Sequence, residues 1–348
     1  MRTLKNFDFR KKRVLVRCDF NVPLGKQGEV LDSFRIKKTI PTIEYLIKKE
    51  AKVILMSHLG RPEGKVIESL RLAPIQNKLM EYLDVSVTKA PDCVGPEIEK
   101  WTYQMQPGEI LLLENLRFHQ EEKENDDNFA KDLAKLGDIY INDAFANSHR
   151  SHASMVGIPK YLPSGVGFLI EKEVNFLTKI IENPKKPLVA IIGGAKIEKS
   201  KLKLINKFSE EGEYVLIGGL VKKGIEEKNI KLDFPERIIG PTEKIIGEDI
   251  SQETIDIFKE KIKEAKTIFW DGVVGKTEEK RFQKGSEEIA KAIIKSGAFS
   301  VVGGGETVAF INRLGLAEKF NHVSTGGGAM LDFVADGKLV GLEALCRK

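Results

Sequence analysis

The stretch Val14–Asn21, VLVRCDFN, is a short aliphatic run that ends in polar and charged residues. Three further aliphatic runs repeat this arrangement, at Val53–Met56, Ile110–Leu113 and Ile139–Ile141. Helical spacing of apolar residues is found between the runs, at Ile36–Lys48, Ala73–Tyr82 and Asn128–Leu136. Short β-branched runs that alternate with amphipathic helices are typical of βαβ units, in which helices cover both faces of a parallel sheet. The first half therefore predicts a parallel sheet.

The second half repeats the alternation and predicts a second sheet. Its predicted strands are Leu188–Ile192, Tyr214–Ile217, Thr267–Trp270 and Ser300–Val302, and its predicted helices include Gln252–Lys263 and Glu287–Lys295. The proline-rich segment Gly157–Pro187 separates the two halves, and within it Phe168–Ile181 has helical spacing. We therefore predict an α/β fold of two doubly wound parallel-sheet lobes joined by a helical hinge. The predicted boundaries are 1–165 for the N-terminal lobe, 166–186 for the connecting helix, 187–335 for the C-terminal lobe, and 336–348 for a segment that returns to the N-terminal lobe.

Composition excludes several classes of protein. Of the 348 residues, 41% are hydrophobic and 31% are charged, which suits two globular cores and not a disordered chain. No apolar run reaches the roughly 18 residues that a membrane helix needs. The net charge of +5 is dispersed along the chain and does not indicate a nucleic-acid-binding patch. Three distant cysteines, Cys18, Cys93 and Cys346, predict neither a disulfide framework nor a zinc knuckle. We expect a cytoplasmic monomer without nucleic-acid or membrane partners.

Cations and polar groups follow the predicted strands of the first half, which is where open α/β sheets bind ligands. These loops are Arg17–Asn21, Ser57–Pro62, Glu114–His119 and Asn142–Arg150. Taken singly, each arginine or histidine is better explained as a surface ion pair. Their repetition at one sheet edge instead predicts a site for a small polyanion, because guanidinium groups bind phosphate and carboxylate bidentately. The histidines have no H-x-x-x-H spacing and no adjoining cysteines, so they do not predict a metal centre.

Glycines follow the predicted strands of the second half. They lie in three loops, Gly193–Lys196, Gly303–Thr307 and Ser324–Gly328. Glycine allows backbone N–H groups to approach phosphate oxygens, and a helix N-terminus adds partial positive charge. One such loop alone is explained by a tight turn, and none matches the Walker pattern. Three together predict a nucleotide phosphate site, at which the Glu306 carboxylate is a candidate ligand for Mg²⁺.

These motifs, in this order, resemble those of the phosphoglycerate kinase family. The matching stretches are Arg17–Leu24, Asp32–Ile36, Ser57–Pro62, Leu113–Glu122, Gly137–Ser154, Gly167–Val174, Gly193–Lys196, Gly303–Thr307, Ser324–Ala329 and Gly337–Leu345. The resemblance implies a kinase of glycolysis and gluconeogenesis that transfers phosphoryl groups reversibly between ATP and the carboxylate of 3-phosphoglycerate. The products are ADP and 1,3-bisphosphoglycerate. It also implies that the acid binds to the N-terminal lobe, that the magnesium nucleotide binds to the C-terminal lobe, and that the lobes close about the hinge.

The resemblance further implies the residues of both sites. It assigns the acid substrate to Asp19, Phe20, Asn21, Arg35, His58, Leu59, Gly60, Arg61, Arg117 and Arg150. It assigns the nucleotide to Gly194, Lys196, Lys201 (with Lys199 as the alternative), Glu278, Gly304, Gly305, Glu306 and Thr307, with Glu306 as the magnesium ligand. Arg35, Lys196 and Gly327 are implied to act on the transferring group. A carboxylate is already ionised near neutral pH, so the reaction needs positioning and charge neutralisation but no general base.

Departures from the family pattern concentrate in the C-terminal lobe. Only Leu220–Pro241 follows Gly219 where the family has a longer segment near adenine. Trp270-Asp271-Gly272-Val273 stands where the family has W-N-G-P, and Glu306 replaces an aspartate. Two alternatives stay open on the sequence, a catalytically weak relative that binds a phosphorylated acid and a nucleic-acid binder suggested by the basic charge. The motifs favour the kinase.

Overall fold

The computed structural model describes residues 1–195, 197, 199–211, 214–243 and 247–346. The chain divides into two compact units. One unit contains Met1–Lys172 together with the C-terminal residues from Lys338, and the other contains Glu173–Gly337. Among the described residues, no helix has both the length and the apolar character needed to cross a membrane.

Six parallel strands form the sheet of the first unit. They are β1 (Arg13–Arg17), β2 (Lys52–Met56), β3 (Val87–Lys89), β4 (Ile110–Leu112), β5 (Ile139–Asn142) and β6 (Ser164–Val166). The strand order is β3-β4-β2-β1-β5-β6, so β2, β3 and β4 lie on one side of β1, and the chain then crosses to its other side for β5 and β6. A reversal of this kind opens a crevice at the carboxyl ends of the strands.

Helices of the first half of the chain lie between these strands, except that the last of the helices follows β6. They are α1 (Phe34–Lys48), α2 (Ala73–Leu83), α3 (Pro96–Gln104), α4 (Glu121–Glu124), α5 (Asp127–Lys135) and α6 (Phe168–Ile181). Local signals set their ends: the Asp126 side chain accepts a hydrogen bond from the Phe129 N–H at the start of α5, and α2 ends at Asp84, whose backbone is left-handed. The division between the two units falls inside α6.

The second unit has the same architecture. Its strands are β7 (Leu188–Ile192), β8 (Tyr214–Ile217), β9 (Ile238–Ile239), β10 (Thr267–Asp271), β11 (Phe299–Gly303) and β12 (His322–Val323), in the order β12-β11-β10-β7-β8-β9. Its helices are α7 (Lys199–Glu210), α8 (Gly219–Glu227), α9 (Gln252–Glu264), α10 (Lys284–Ser296), α11 (Gly305–Arg313) and α12 (Gly327–Asp336). Both sheets are parallel with helices between their strands, which confirms the predicted α/β class.

The C-terminal residues pack on the first unit. Helix α13 (Val340–Ala344) follows α12, and the Gly341 N–H donates to the Ser148 carbonyl at 2.8 Å. A Cβ at Gly341 would lie 2.9 Å from that same carbonyl oxygen. The close approach of the two backbones therefore depends on glycine. It connects the chain terminus to the loop that follows β5.

Candidate active site

Four loops meet at the carboxyl edge of the first sheet, because β4, β2, β1 and β5 are consecutive neighbours. The structure thereby collects six predicted residues there: Asp19, Asn21, His58, Arg61, Arg117 and Arg150. Arg35 joins them from the first turn of α1. Its NH1 donates to Asp19 Oδ2 at 2.8 Å and to the Asn21 carbonyl at 3.2 Å.

Hydrogen bonds between the loops fix their relative positions. The Gly60 N–H donates to Asn21 Oδ1 at 2.9 Å, and Arg117 NH1 donates to the Gly60 carbonyl at 2.9 Å. Gly60 has a φ of 65°, a left-handed conformation that favours glycine. The loops after β1, β2 and β4 are therefore connected through one glycine peptide.

Two guanidinium groups at this edge are incompletely hydrogen-bonded. Arg117 is only 5% exposed, yet its Nε and NH2, like Nε of Arg150, have no hydrogen-bond partner among the residues that the structure describes. Burial lowers the pKa of Arg117 to about 10, and the nearby Arg150 and Arg17 contribute to this shift. Buried donors without acceptors are costly. An anion that supplied acceptors would relieve both the missing hydrogen bonds and the repulsion between cations.

His58 is a buried neutral donor at the same edge. Its Nδ1 lies 3.3 Å from NH2 of Arg17, and because a guanidinium only donates, Nδ1 must accept. Burial lowers the pKa of His58 well below its usual value, and the surrounding arginines, above all Arg17, lower it further. The neutral ring therefore carries its proton on Nε2, from which it can donate to an anion.

The sequence analysis did not assign Arg17 to the site. This residue ends β1 and is fully buried. Its Nε donates to Ser154 Oγ at 2.9 Å, its NH1 donates to the Cys18 carbonyl, and NH2 lies 3.8 Å from Glu122 Oε1. The sequence does contain a signal for this residue, which is a cation at the end of an aliphatic strand, directly before the polar loop.

Asn115 is a second site residue that the sequence analysis did not assign. Its Oδ1 accepts from the N–H groups of Leu59 and Arg117 at 3.2 and 3.1 Å. Its Nδ2 donates to the carbonyls of Leu59 and Leu70 at 2.8 and 2.9 Å. One buried amide thus holds the loops after β2 and β4 together.

Phe20 and Leu59 lie at the same edge, but their side chains belong to the apolar core. The Phe20 N–H donates to Ser57 Oγ at 2.9 Å, and the Leu59 N–H is bonded to Asn115. Both residues therefore shape the loops through internal contacts.

A cavity of about 450 Å³ lies at the carboxyl edge of the second sheet. Its lining includes the predicted Gly194, Glu278 and Glu306. The other lining side chains include the apolar Leu220, Val273 and Val274 and the charged Lys223, Glu248 and Lys276. A lining that combines apolar and charged side chains suits a nucleotide.

Glycine permits the loops around this cavity to approach closely. A Cβ at Gly193 would lie 2.2 Å from the Val273 carbonyl oxygen, and the Gly193 N–H donates to the Asp271 carbonyl at 2.7 Å. Gly304 has a φ of 87°, and a Cβ at Gly327 would lie 3.3 Å from the Gly304 Cα. The structure therefore brings Gly304, Gly305 and Gly327 together with the loops after β7 and β10.

Lys201 reaches these loops from α7. Its Nζ donates to the Gly193 carbonyl at 2.6 Å and lies 3.8 Å from Asp271 Oδ2. Lys199 is exposed at the start of the same helix. The carboxylate that distinguishes Asp271 from the family pattern thus faces the Lys201 ammonium. The predicted Lys196 lies outside the described residues.

The residues around Gly304 fit a magnesium-bound phosphate group. Thr307 Oγ1 is buried and has no hydrogen-bond partner within the described part of the chain. Glu306 is exposed in the first turn of α11 and lines the cavity. Carboxylate and hydroxyl oxygens are hard ligands of the kind that Mg²⁺ and its hydration shell prefer.

Known proteins resemble this chain over nearly its whole length. The family profile described as phosphoglycerate kinase matches residues 4–233 and 226–338. The phosphoglycerate kinase of Moorella thermoacetica is 40% identical over 391 aligned residues, with 99% of each chain covered. That of Borreliella afzelii is 41% identical with the same coverage.

Solved structures show the same relationship. Phosphoglycerate kinase from Pyrococcus horikoshii OT3 matches with a TM-score of 0.89 at 32% identity, covering 99% of this chain and 98% of that chain. Phosphoglycerate kinase from Coxiella burnetii matches with a TM-score of 0.82 at 29% identity, with the same coverage.

The alignments also locate a difference in length. The match to the Moorella thermoacetica relative extends over 391 positions, whereas this chain has 348 residues, so the relative has residues that this chain lacks. The two ranges of the family match meet at residues 226–233, inside the segment Leu220–Pro241. That segment also supplies Leu220 and Lys223 to the cavity.

Proposed function

This chain belongs to the phosphoglycerate kinase family, and we propose that it transfers a phosphoryl group between ATP and 3-phosphoglycerate. Each of the two substrates binds at the carboxyl edge of a different sheet. The first unit binds the acid, and the second binds the nucleotide. The observation that supports this division most strongly is the incomplete hydrogen bonding of the buried Arg117 beside other cations. The cavity in the second unit has the glycine-rich loops that a nucleotide phosphate needs.

In the acid site, arginines neutralise the substrate and neutral groups orient it. Arg117, Arg150, Arg61 and Arg35 supply positive charge, and Asp19 and Asn21 orient Arg35 through the hydrogen bonds described above. His58 donates from Nε2. Phe20, Leu59 and Gly60 hold the loops. A polyanion is bound well by such a group because each charged hydrogen bond is stronger than a neutral one.

In the nucleotide site, backbone N–H groups and one lysine surround the phosphates. Gly194, Gly304, Gly305 and Gly327 at the start of α12 supply close backbone approaches. Glu278 lines the cavity and is the group proposed to bind the ribose. Glu306 and Thr307 would hold magnesium, which supplies neutralisation of phosphate charge when it is bound. Lys201 orders the β7 loop through the Gly193 carbonyl. The resemblance supports placing Lys196 at the transferring phosphoryl group.

The chemistry then requires no proton transfer to the nucleophile. The substrate carboxylate attacks as an anion, so the contribution of this chain is to align two polyanions and to neutralise charge in the transition state. Arg35 and the Gly327 N–H are the described groups proposed to act on the transferring group. Closure of the two units about α6, a monomeric state and a cytoplasmic location belong to the same proposal.

A turnover assay with ATP and 3-phosphoglycerate tests this proposal. Arg117→Met keeps an unbranched, flexible side chain and removes the guanidinium charge, so it should raise KM for 3-phosphoglycerate by about tenfold or more and leave KM for ATP nearly unchanged. Lys196→Ala should instead lower kcat far more than it changes KM for 3-phosphoglycerate. An Arg117→Met protein with an altered KM for ATP alone would contradict the division of the two sites.

A further inference from the structure

Three side chains of different chemistry meet outside the two sites described above. Asp92 and Cys93 follow the edge strand β3, and His119 follows β4, the neighbour of β3 in the sheet. One ligand atom from each residue, a carboxylate oxygen, a thiol sulfur and an imidazole nitrogen, lies within 4.8 Å of the other two. We propose that Asp92, Cys93 and His119 form a binding site for a single zinc ion.

The donor set is one that zinc prefers. Zn²⁺ takes cysteine sulfur, histidine nitrogen and carboxylate oxygen in tetrahedral sites, at about 2.0–2.3 Å from the metal. Two such ligands on one ion are therefore roughly 3.5 Å apart. His119 Nε2 and Asp92 Oδ1 are 2.7 Å apart, so they need to separate slightly. The Cys93 sulfur lies within 4.8 Å of both atoms, so it needs to approach them by no more than roughly 1.3 Å. Side-chain rotation is sufficient for changes of this size.

The cluster is buried on one side and open to solvent on the other, as a zinc site with a water ligand requires. Cys93 is fully buried, whereas the Asp92 side chain is 50% exposed and that of His119 is 27% exposed. The ring of His119 is stacked on Phe129 with centroids 5.2 Å apart, which holds its plane. Three protein ligands with one exposed side leave the fourth position to water.

Zinc takes a thiolate, a neutral imidazole and a carboxylate as its ligands. Binding of Zn²⁺ at this cluster would form one Zn–S, one Zn–N and one Zn–O bond. The Cys93 thiol and the imidazole nitrogen that binds would give up their protons to solvent at the exposed side of the cluster.

The cluster includes a residue of the loop that carries Arg117, so a bound metal ion would affect the position of that loop. His119 lies two residues after Arg117 in the loop that follows β4, and the Glu114 N–H at the start of that loop donates to the Asp92 carbonyl at 3.3 Å. A metal ion bound by these residues would link the segment after β3 to the C-terminal part of the loop after β4. The ion would stabilise the loop beside the acid site and would not contact the reacting groups.

Cobalt titration of the full-length, chelator-treated protein tests the proposal. Co²⁺ reports on thiolate ligation through a charge-transfer band in the near ultraviolet, while Zn²⁺ has a filled d shell and is silent. We expect one equivalent of Co²⁺ to produce the band and one equivalent of Zn²⁺ to abolish it. Cys93→Ser should remove the band, whereas Cys346→Ser, which removes the exposed thiol, should retain it.

Substitutions of the two partly exposed ligands test the site without disturbing the packing of the core. His119→Asn and Asp92→Asn should each weaken Co²⁺ binding by more than about tenfold, since even residues behind a ligand change affinity by about 10–100-fold. Zinc should raise the thermal unfolding temperature of the wild type and of Cys346→Ser, and should not raise that of His119→Asn. The absence of a band in the wild type, its persistence in Cys93→Ser, or its loss in Cys346→Ser would each overturn the proposal.

Discussion

Glu173 Oε2 in α6 lies 2.6 Å from Nε2 of His322, the first residue of β12. The other carboxylate oxygen, Oε1, accepts from the N–H and the Oγ1 of Thr325 at 2.7 and 2.8 Å. Both residues of the pair are buried. One carboxylate therefore connects α6 to the edge strand and to the glycine loop that precedes α12.

The first prediction concerns this carboxylate. Burial alone would raise the pKa of Glu173, but His322 and Thr325 outweigh it and the pKa is lowered. A group whose folded pKa is depressed stabilises the fold above its unfolded pKa, about 4.3, and loses that contribution as the pH falls through the folded value. Glu173→Gln should therefore destabilise the protein most near neutral pH, and its difference from wild type should shrink as the pH falls below about 4.3.

Urea unfolding across this pH range measures that difference, and the exposed Glu50→Gln serves as the control. A deficit in unfolding free energy that stays constant with pH would show that the charge of Glu173 is not responsible.

The second prediction concerns Arg35. Arg35→Ala removes a guanidinium that is bonded to Asp19, a loss on the order of 2–4 kcal/mol of substrate interaction. We expect kcat/KM for 3-phosphoglycerate to fall by about a hundredfold or more in a folded protein. The matched control is Arg10→Ala, because the Arg10 side chain is 70% exposed and pairs with Glu50 at the surface. Equal activity of the two variants would remove Arg35 from the site.

The third prediction concerns the tautomer of His58. Because Arg17 NH2 can only donate to Nδ1, nitrogen-15 NMR of the wild type should show a neutral ring with its proton on Nε2 near pH 7. Arg17→Lys replaces the guanidinium by a single ammonium group, so both neutral tautomers of His58 should be populated. KM for 3-phosphoglycerate should then rise more than kcat falls. A wild-type ring protonated on Nδ1, or on both nitrogens, would be incompatible with this arrangement.

The fourth prediction separates binding from stability at Thr307. Its buried hydroxyl has no partner in the described residues, so Thr307→Val should leave the unfolding free energy unchanged or raise it by up to about 1 kcal/mol. Affinity for magnesium ATP should fall by about tenfold or more, measured by calorimetry. Thr254→Val is the contrast, since Thr254 Oγ1 donates to Glu243 at 2.6 Å and its loss should cost about 1–2 kcal/mol of stability. A destabilised Thr307→Val protein with normal ATP affinity would refute the assignment.

The fifth prediction concerns the nucleobase. The cavity lining from the shortened segment includes Leu220, which is 49% exposed, so an adenine ring should be partly uncovered. An apolar surface left in water costs about 25 cal/mol per Å², which for half a ring is on the order of 1–2 kcal/mol. We expect weak ATP binding and less than about a hundredfold preference of ATP over GTP in kcat/KM at equal magnesium. A larger preference would mean that Leu220–Pro241 completes the base pocket.

The sequence by itself determined the inner strands of both sheets and the loops that carry chemistry. Strands such as β1, β7 and β10 are covered on both faces, so each contains a continuous apolar run that is recognisable in the sequence. The strands it did not reveal are β3, β6, β9 and β12, which have two or three residues and lie at the sheet edges. A short edge strand has one neighbour and few buried residues, so it leaves little periodic pattern.

Tertiary structure decided the contacts between loops that are distant in sequence. Motif order placed Arg117 and His58 at the same edge, but only the packing of β1 against β2 placed the Arg17 guanidinium on His58 and thereby fixed its proton. Spacing in the chain gave no reason to combine Cys93 with His119, and the pairing of β3 with β4 brings them together. The sequence gives the chemical groups that are available. Which of these groups come together depends on which strands pair, and strand pairing is set by burial across the whole sheet.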